Sequence, residues 1–275
     1  MRFLLATLGA LTLGTSSAWA WGDSGHSIAA EVAQRHLAAS TLQAIAELMG
    51  DDVSLASLSS WADDERARDR TTTRWHFVDI PLEETRYDAS RDCRSMPGEG
   101  DCIVAAIERE QAVVACATAP SEDRRRALKF LVHFVGDLHQ PFHALLEERG
   151  GNGVSVTIVT REGVNGRDPF NSNLHSAFDS ALIDKTAWSW GGYVDRLVGS
   201  DLAGPGTANA AGTVVEWAEE SHALASRLFE DVPANGVLDD TYRRSVLPLL
   251  DEQLAKGGLR LARLLDDAFA SANCP

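Results

Sequence analysis

The stretch Ala127-Leu-Lys-Phe-Leu-Val-His-Phe-Val-Gly-Asp-Leu-His-Gln-Pro-Phe-His143 constrains this chain more than any other. Leu128, Leu131, Val132 and Val135 recur at spacings of three and four, which predicts a helix with an apolar face. His133 and Asp137 are four apart, so on that helix they project the same way. Pro141 has no amide hydrogen and ends or kinks the helix, which can bring His143 back toward the pair. One histidine on so apolar a helix is most simply a hydrogen-bonded core residue. Two histidines and a carboxylate at a helix end are instead a ligand set of the kind zinc takes. Asn173-Leu-His-Ser-Ala-Phe-Asp179 repeats the spacing in His175 and Asp179. Carboxylates buried without a cation are costly, so two such pairs argue for bound metal.

The chain opens with one positive charge at Arg2, continues as an apolar run and reaches Ala18-Trp19-Ala20, which fits the small-x-small cleavage rule. Residues 1–20 therefore read as a removed secretory signal, and the run is too short to span a membrane. No second apolar run of that length follows, so no stable membrane association is expected. The product is placed outside the cytoplasm, periplasmic or secreted, with residues 21–275 as its one domain and Trp21 as its new N-terminus. Export favours disulfides. Cys93 and Cys102 bracket an irregular stretch and are expected to pair, and Cys116 and Cys274 could close a second bridge. Four cysteines allow three connectivities, among which the sequence does not choose.

A formal net charge of −15 weighs against non-specific duplex binding, which needs many neutralised phosphates. A nucleic-acid partner would have to be held by something other than a basic face. Bound divalent metals, the largest local charges in a site, are one answer.

Helical patterns run from Ser24 to about His36, Leu42 to Met49, Leu55 to Arg68 and Ile103 to Thr118. Another, with Ser121 as its cap, is the opening stretch. Residues 173–199, 208–230 and 239–270 also read as helical, the last broken near Pro248 and at Gly257-Gly258. Trp75 to Ile80 is extended or irregular, and residues 83–101 are a loop. Val154, Val156 and Ile158 alternate as a strand, and Val164-Asn-Gly166 closes a small hairpin. The economical fold is mainly α, a single-domain helical bundle with one small β-hairpin. Among the histidines, His36 and His222 have polar neighbours and are expected to face solvent. The spacing of His139 from Asp137 points it elsewhere. His26, His76, His133, His143 and His175 remain.

Trp21 with His26, Trp61-Ala-Asp63, Trp75-His-Phe77, His133-Phe-Val-Gly-Asp137, Gln140-Pro-Phe-His143, Gly151-Asn152 and Asn173-Leu-His175 with Asp179 stand in order along the chain. In these landmarks it resembles the zinc-dependent single-strand-specific nuclease and 3′-nucleotidase family of the mung bean nuclease type, which shares its helical fold with the zinc phospholipases C. The resemblance covers essentially the whole of residues 21–275. It implies three zinc ions. The first would take Asp63, His76, His133 and Asp137. The second would take His143, His175 and Asp179. The third would take His26, Asp137, and the α-amino nitrogen and carbonyl oxygen of Trp21, a chelate that only a trimmed chain can offer.

The resemblance further implies that Arg66, one helical turn beyond Asp63, contacts the scissile phosphate, and that Phe77 and Asp79 stack on and hydrogen-bond a nucleobase. Only an unpaired base can stack, which gives single-strand preference without a basic groove. Asn152 would shape the pocket wall or meet phosphate. The family's second nucleotide site lies in variable loops and cannot be placed. The expected reaction is in-line attack by a hydroxide held between paired zinc ions, with Asp63 orienting it. Single-stranded RNA and DNA would yield 5′-phosphorylated products, 3′-nucleotides would also serve as substrates, and the enzyme would act as a monomer. The alternatives are a phospholipase C using the same metals on a phosphatidylcholine-type lipid, and an exported zinc-binding protein without catalysis.

Overall fold

Helices α1 (Asp23–His36), α2 (Ala39–Met49), α3 (Trp61–Arg68), α4 (Ile103–Ala115), α5 (Ser121–Leu138), α6 (Trp190–Val198), α7 (Val214–Glu230) and α8 (Asp240–Ala270) supply most of the secondary structure. The computed structural model describes residues 21–159, 169–184, 186, 189–204, 207–271 and 274. The expected signal segment and the Val164-Asn-Gly166 turn lie outside the described residues. Strands β1 (Ser155–Ile158), β2 (Phe170–Asn173) and β3 (Val237–Leu238) form one small sheet in the order β2-β1-β3. β1 and β2 are antiparallel, with Ser155 opposite Asn173, as a hairpin requires. β3 adds a short parallel edge that its two residues could not announce in the sequence.

The opening stretch forms α5, with Glu122 and Asp123 in its first turn, where the helix dipole favours acids. Ser121 lies inside the helix, and Pro120 holds the cap position without a side-chain bond. Every residue from Phe130 to Leu138 is buried, so this half of α5 has no polar face. The helix stops at Leu138, and Gln140 accepts the Phe142 amide at 2.6 Å to start a 3₁₀ turn over Pro141–Ala144. Two apolar clusters meet at this end of α5. One contains Phe130, Phe134, Ile107 and Leu265, and the other Trp21, Phe142, Phe178 and Leu250.

α8 runs unbroken from Asp240 to Ala270, through both places where an interruption is expected. A proline inside a helix costs about 3 kcal/mol. Val246, Leu250 and Leu254 flank Pro248 and are all buried, each stabilising by roughly 1.5–3 kcal/mol, so packing wins. The glycine pair serves a close approach. A Cβ on Gly258 would lie 2.5 Å from Val32 Cγ1 and 2.8 Å from the Ala29 carbonyl on α1.

The helical pattern over residues 55–68 divides into Leu55–Leu58, capped by Ser54, and α3. The pattern from residue 173 likewise divides into Leu174–Ser176, a wider π turn over Ala177–Ala181, Leu182–Asp184 and α6. A 3₁₀ turn, Arg70–His76, leads into the irregular segment that carries Phe77. The loop over 83–101 contains one helical turn, Ala89–Asp92, capped by Asp88. Both expected disulfides form, Cys93–Cys102 and Cys116–Cys274. The first closes a loop that grips the Phe77 segment from two sides. The Arg74 amide donates to Glu99 at 3.1 Å and the Ile103 amide donates to Phe77 at 3.0 Å. Among the described residues no helix is long and apolar enough to cross a membrane.

Candidate metal centre

Asp137 is the hub, and it is fully buried. Its Oδ2 lies 3.0 Å from His76 Nδ1 and 3.1 Å from His133 Nε2. Its Oδ1 lies 3.2 Å from His26 Nε2, with neither atom in hydrogen-bond geometry. The two oxygens thus face two different groups of imidazoles. Asp63, at the start of α3, reaches both His76 Nδ1 and His133 Nε2 at 3.9 Å. The ring nitrogens of His76 and His133 are 3.1 Å apart. His26 stacks on His133 with ring centroids 4.0 Å apart. On the other side, the 3₁₀ turn sets His143 against His175, centroids 4.9 Å apart, and His175 Nε2 lies 3.6 Å from Asp179 Oδ1. Three groups therefore have ligand atoms within 4.8 Å of one another: His26 with Asp63 and His133, His76 with His133 and Asp137, and His143 with His175 and Asp179.

The second ring nitrogen shows which atom is offered to a cation. Nδ1 of His133 donates to the Ser59 carbonyl at 2.6 Å, that of His143 to His76 at 2.7 Å, and that of His175 to Gly150 at 2.7 Å. Each such bond fixes the tautomer and leaves Nε2 as a lone pair, the usual outer support of a metal-bound histidine. Buried atoms at the centre lack any hydrogen-bond partner: His143 Nε2, Asp137 Oδ1 and Asp179 Oδ2 among them. So many converging lone pairs are repulsive without a positive charge between them.

The electrostatics agree. Burial pushes His76 down to about 4 and His175 to about 3, and lowers His26 and His143 too, so these rings are held neutral and able to ligate. Burial works against a proton on His133 as well, yet Asp137 and Asp63 outweigh it and push the ring up to about 9. Burial also opposes the charge of Asp137, but His133 and His143 hold it well below the carboxylate range. Asp179, desolvated and near Asp137 and Asp63, is pushed well above its ordinary value. With the protein's own charges alone, a proton fills the place that a cation would take. The donor set of imidazole and carboxylate in a dry interior fits a divalent metal such as zinc.

These groups open onto a cavity of about 340 Å³, lined by His76, His143 and His175 on its floor, with Arg66, Phe77, Asp79 and Asn152 among the residues of its walls. Arg66 approaches Asp63 Oδ1 at 3.2 Å. Phe77 is half-buried, not packed into the core. Burial raises Asp79 against the opposing pull of Arg74, whose guanidinium holds its Oδ2 at 2.9 Å. The Asn152 side chain donates to the Arg149 carbonyl at 2.8 Å. Trp21 is buried, its indole N–H donates to Gly136 at 2.8 Å, and the Gly22 amide donates to Asp179 at 2.7 Å. The start of the described chain thus lies beside both Asp137 and Asp179.

The sequence model of the S1/P1 nuclease family matches residues 21–270, nearly all of the described chain. The chain belongs to the S1/P1 nuclease family. Within it, the chain is 30% identical to nuclease P1 of Penicillium citrinum over 91% of its own length and 98% of that protein. It is 31% identical to nuclease PA3 of a Penicillium species over 91% and 98%. Endonuclease 2 of Arabidopsis thaliana is 29% identical over 90% of each chain.

All the site residues expected from the sequence of this S1/P1 nuclease meet at one cavity or directly beneath it. Two other histidines depart from expectation. His222 is buried, its ring nitrogens 2.8 Å from the carbonyls of Ala144 and Glu84. His36 is half-buried between the carbonyls of Val32 and Ala203. Polar neighbours on a helix do not reveal carbonyls brought in by distant segments. His139 does point away, with Nδ1 bonded to Val135 and Nε2 accepting from Arg260 at 2.9 Å. Sequence reasoning gave no role to Gln140, which donates to Asp179 at 2.5 Å. It also passed over Gly136, where a Cβ would lie 2.9 Å from His26 Nδ1. Each sits between candidate ligands in the opening stretch, but its residue type alone does not mark it out.

Proposed function

We propose that this protein is an exported, zinc-dependent phosphodiesterase acting as a monomer on single-stranded RNA and DNA to give 5′-phosphorylated products, with 3′-nucleotidase activity. One observation carries the reading: three buried His/Asp groups gathered around Asp137 lie under a cavity whose wall offers a half-buried phenylalanine beside a carboxylate. Asp63, His76, His133 and Asp137 would hold one zinc, His143, His175 and Asp179 a second, and His26, Asp137 and the Trp21 main chain a third. When bound, such ions supply an activated water, a clamp on the phosphate and stabilisation of the leaving oxygen.

The chain's own residues do the rest. Arg66, fixed against Asp63, presents a guanidinium fork that suits phosphate oxygens. Asp63 lies at the rim of the first group, where its carboxylate can orient an attacking water. Phe77 offers a stacking face to an unpaired base and Asp79 accepts a base N–H. Asn152 fixes the opposite wall. Stacking is worth about 1–3 kcal/mol per base, which serves a protein of net charge −15 better than phosphate neutralisation does. Removal of residues 1–20 would free the Trp21 amine, and the family match beginning at residue 21 supports that boundary.

Metal analysis of the purified protein together with digestion of single- and double-stranded RNA and DNA tests the reading. Preferential cleavage of single strands, release of phosphate from 3′-AMP and no action on phosphatidylcholine micelles are expected. Micelle hydrolysis without nuclease activity would favour the phospholipase C alternative. Bound zinc with no turnover of any substrate would leave only a binding protein.

A further inference from the structure

The turn after His143 has an unusual backbone. Glu148, Arg149, Gly150 and Gly151 follow one another with φ of 49°, 57°, 63° and 78°, all in the left-handed region. Glycine enters that region freely, but a side-chain-bearing residue does so at a cost. Contacts with the metal-side shell pin the turn. The Gly150 carbonyl accepts from His175, and a Cβ on Gly150 would come 2.4 Å from the Phe142 carbonyl. An arginine is therefore held in a conformation better suited to glycine or asparagine, at the wall of the cavity above His143 and His175.

Three arginines line this cavity: Arg66, Arg74 and Arg149. Arg66 stands against Asp63, and Arg74 against Asp79 with its guanidinium 5.3 Å from the Phe77 ring centroid. Arg149 differs from both. Its backbone bonds to Leu146 and Asn152, its side chain is exposed, and among the described residues no carboxylate pairs with its guanidinium. In so acidic a chain, an arginine left without an acid beside an anion-binding cavity is a positive charge available to a ligand.

We propose that Arg149 forms a subsite for a second phosphate, the one on the far side of the sugar from the phosphate being cleaved. The inference rests on the phosphodiesterase reading and narrows it. The favoured substrates are nucleotides carrying phosphate on both sides of the sugar, internal positions of a strand included, over 3′-mononucleotides. A guanidinium fork matches phosphate oxygens, and a mononucleotide would leave this one unused.

The test compares adenosine 3′-phosphate with adenosine 3′,5′-bisphosphate on the mature metal-loaded protein and its Arg149→Asn, Arg149→Gly and Arg149→Lys variants. Asparagine and glycine suit the left-handed backbone and remove the charge, so their melting temperatures should not fall. The wild type should prefer the bisphosphate by about tenfold in kcat/KM, the worth of one charge-assisted bond. Arg149→Asn and Arg149→Gly should erase that preference through KM, and Arg149→Lys should keep part of it. The salt dependence of oligonucleotide KM should also flatten by about one contact. A wild type without the preference, variants that retain it, or an equal loss on both substrates overturns the subsite. Calorimetric binding of the two ligands separates the two layers. Preferential bisphosphate binding lost in Arg149→Asn, with no hydrolysis by any form, sinks the phosphodiesterase reading and leaves the subsite standing. Hydrolysis without preference does the reverse.

Discussion

Asp137 and Asp179 show how the same side chain takes opposite characters in one site. Burial opposes the charge of both, but His133 and His143 hold Asp137 well below the carboxylate range, whereas burial, with the charges of Asp137 and Asp63 added, pushes Asp179 well above it. Gln140 is the polar side chain that relieves Asp179, donating to its Oδ1 at 2.5 Å. It also accepts the Phe142 amide and so shapes the turn bearing His143. Replacing Gln140 with alanine should weaken the metal of the His143, His175 and Asp179 group by roughly 10–100-fold, as loss of an outer-shell partner does. Competition with a zinc chelator checks this, and an unchanged affinity would show that Asp179 needs no such support. The pairs His133/Asp137 and His175/Asp179 were legible because a histidine four residues ahead of an aspartate, twice in one chain, sets paired donors on one side of a helix, and the other candidate ligands came from the family resemblance. Gln140 was not legible, because a glutamine before a proline reads equally well as a turn residue. Arg74 was hidden for a related reason, since its ties to Asp79 and Phe77 depend on the 3₁₀ turn of Arg70–His76.

Between elements, two contacts decide where the ligands sit. α1 brings His26 to Asp137 by crossing α8 at Gly258. Gly258→Ala should force Val32 aside and lower stability by about 1–3 kcal/mol. At this chain length that is about 2–4 °C in melting temperature per kcal/mol. A thermal melt reads it, and an unaltered transition would mean that the crossing has slack. The second contact is the Cys93–Cys102 loop, whose Glu99 carbonyl, with the Ile103 amide just beyond Cys102, ties the backbone at Arg74 and at Phe77 on either side of His76. Replacing both cysteines with serine should raise KM for nucleotides more than it lowers metal content, because Phe77 lies on the rim and His76 is fixed from below by Asp137. Parallel metal analysis and kinetics separate the two, and a loss of metal equal to the loss of affinity would contradict it. The helices were legible from periodicity. The breaks expected at Pro248 and Gly257-Gly258 were wrong, because local propensity does not know that Leu250 and Leu254 are buried or that α1 passes within van der Waals contact.

The molecule as a whole carries a net charge of −15 and gathers its candidate metal ligands in a buried centre. Five histidines and three acids, drawn from segments between His26 and Asp179, come together at and beneath one cavity, with the buried Trp21 ring and the Gly22 amide beside them. The bundle class and the two His/Asp pairs could be read from the sequence, since each depends on spacing, whereas the sets of candidate ligands rested on the family resemblance and the sequence left the cysteine connectivity open. The parallel edge strand, the left-handed turn at Arg149 and the burial of His222 could not be read from it, since each depends on which distant segment arrives beside it. The central claim is that export trimming completes the centre by freeing the Trp21 amine. Its most direct test is zinc counted per chain by native mass spectrometry in two forms, one starting at Trp21 and one with a single glycine ahead of it. The trimmed form should hold three zinc ions and the extended form two. Equal zinc content in both, or fewer than three in the trimmed form, would contradict the account.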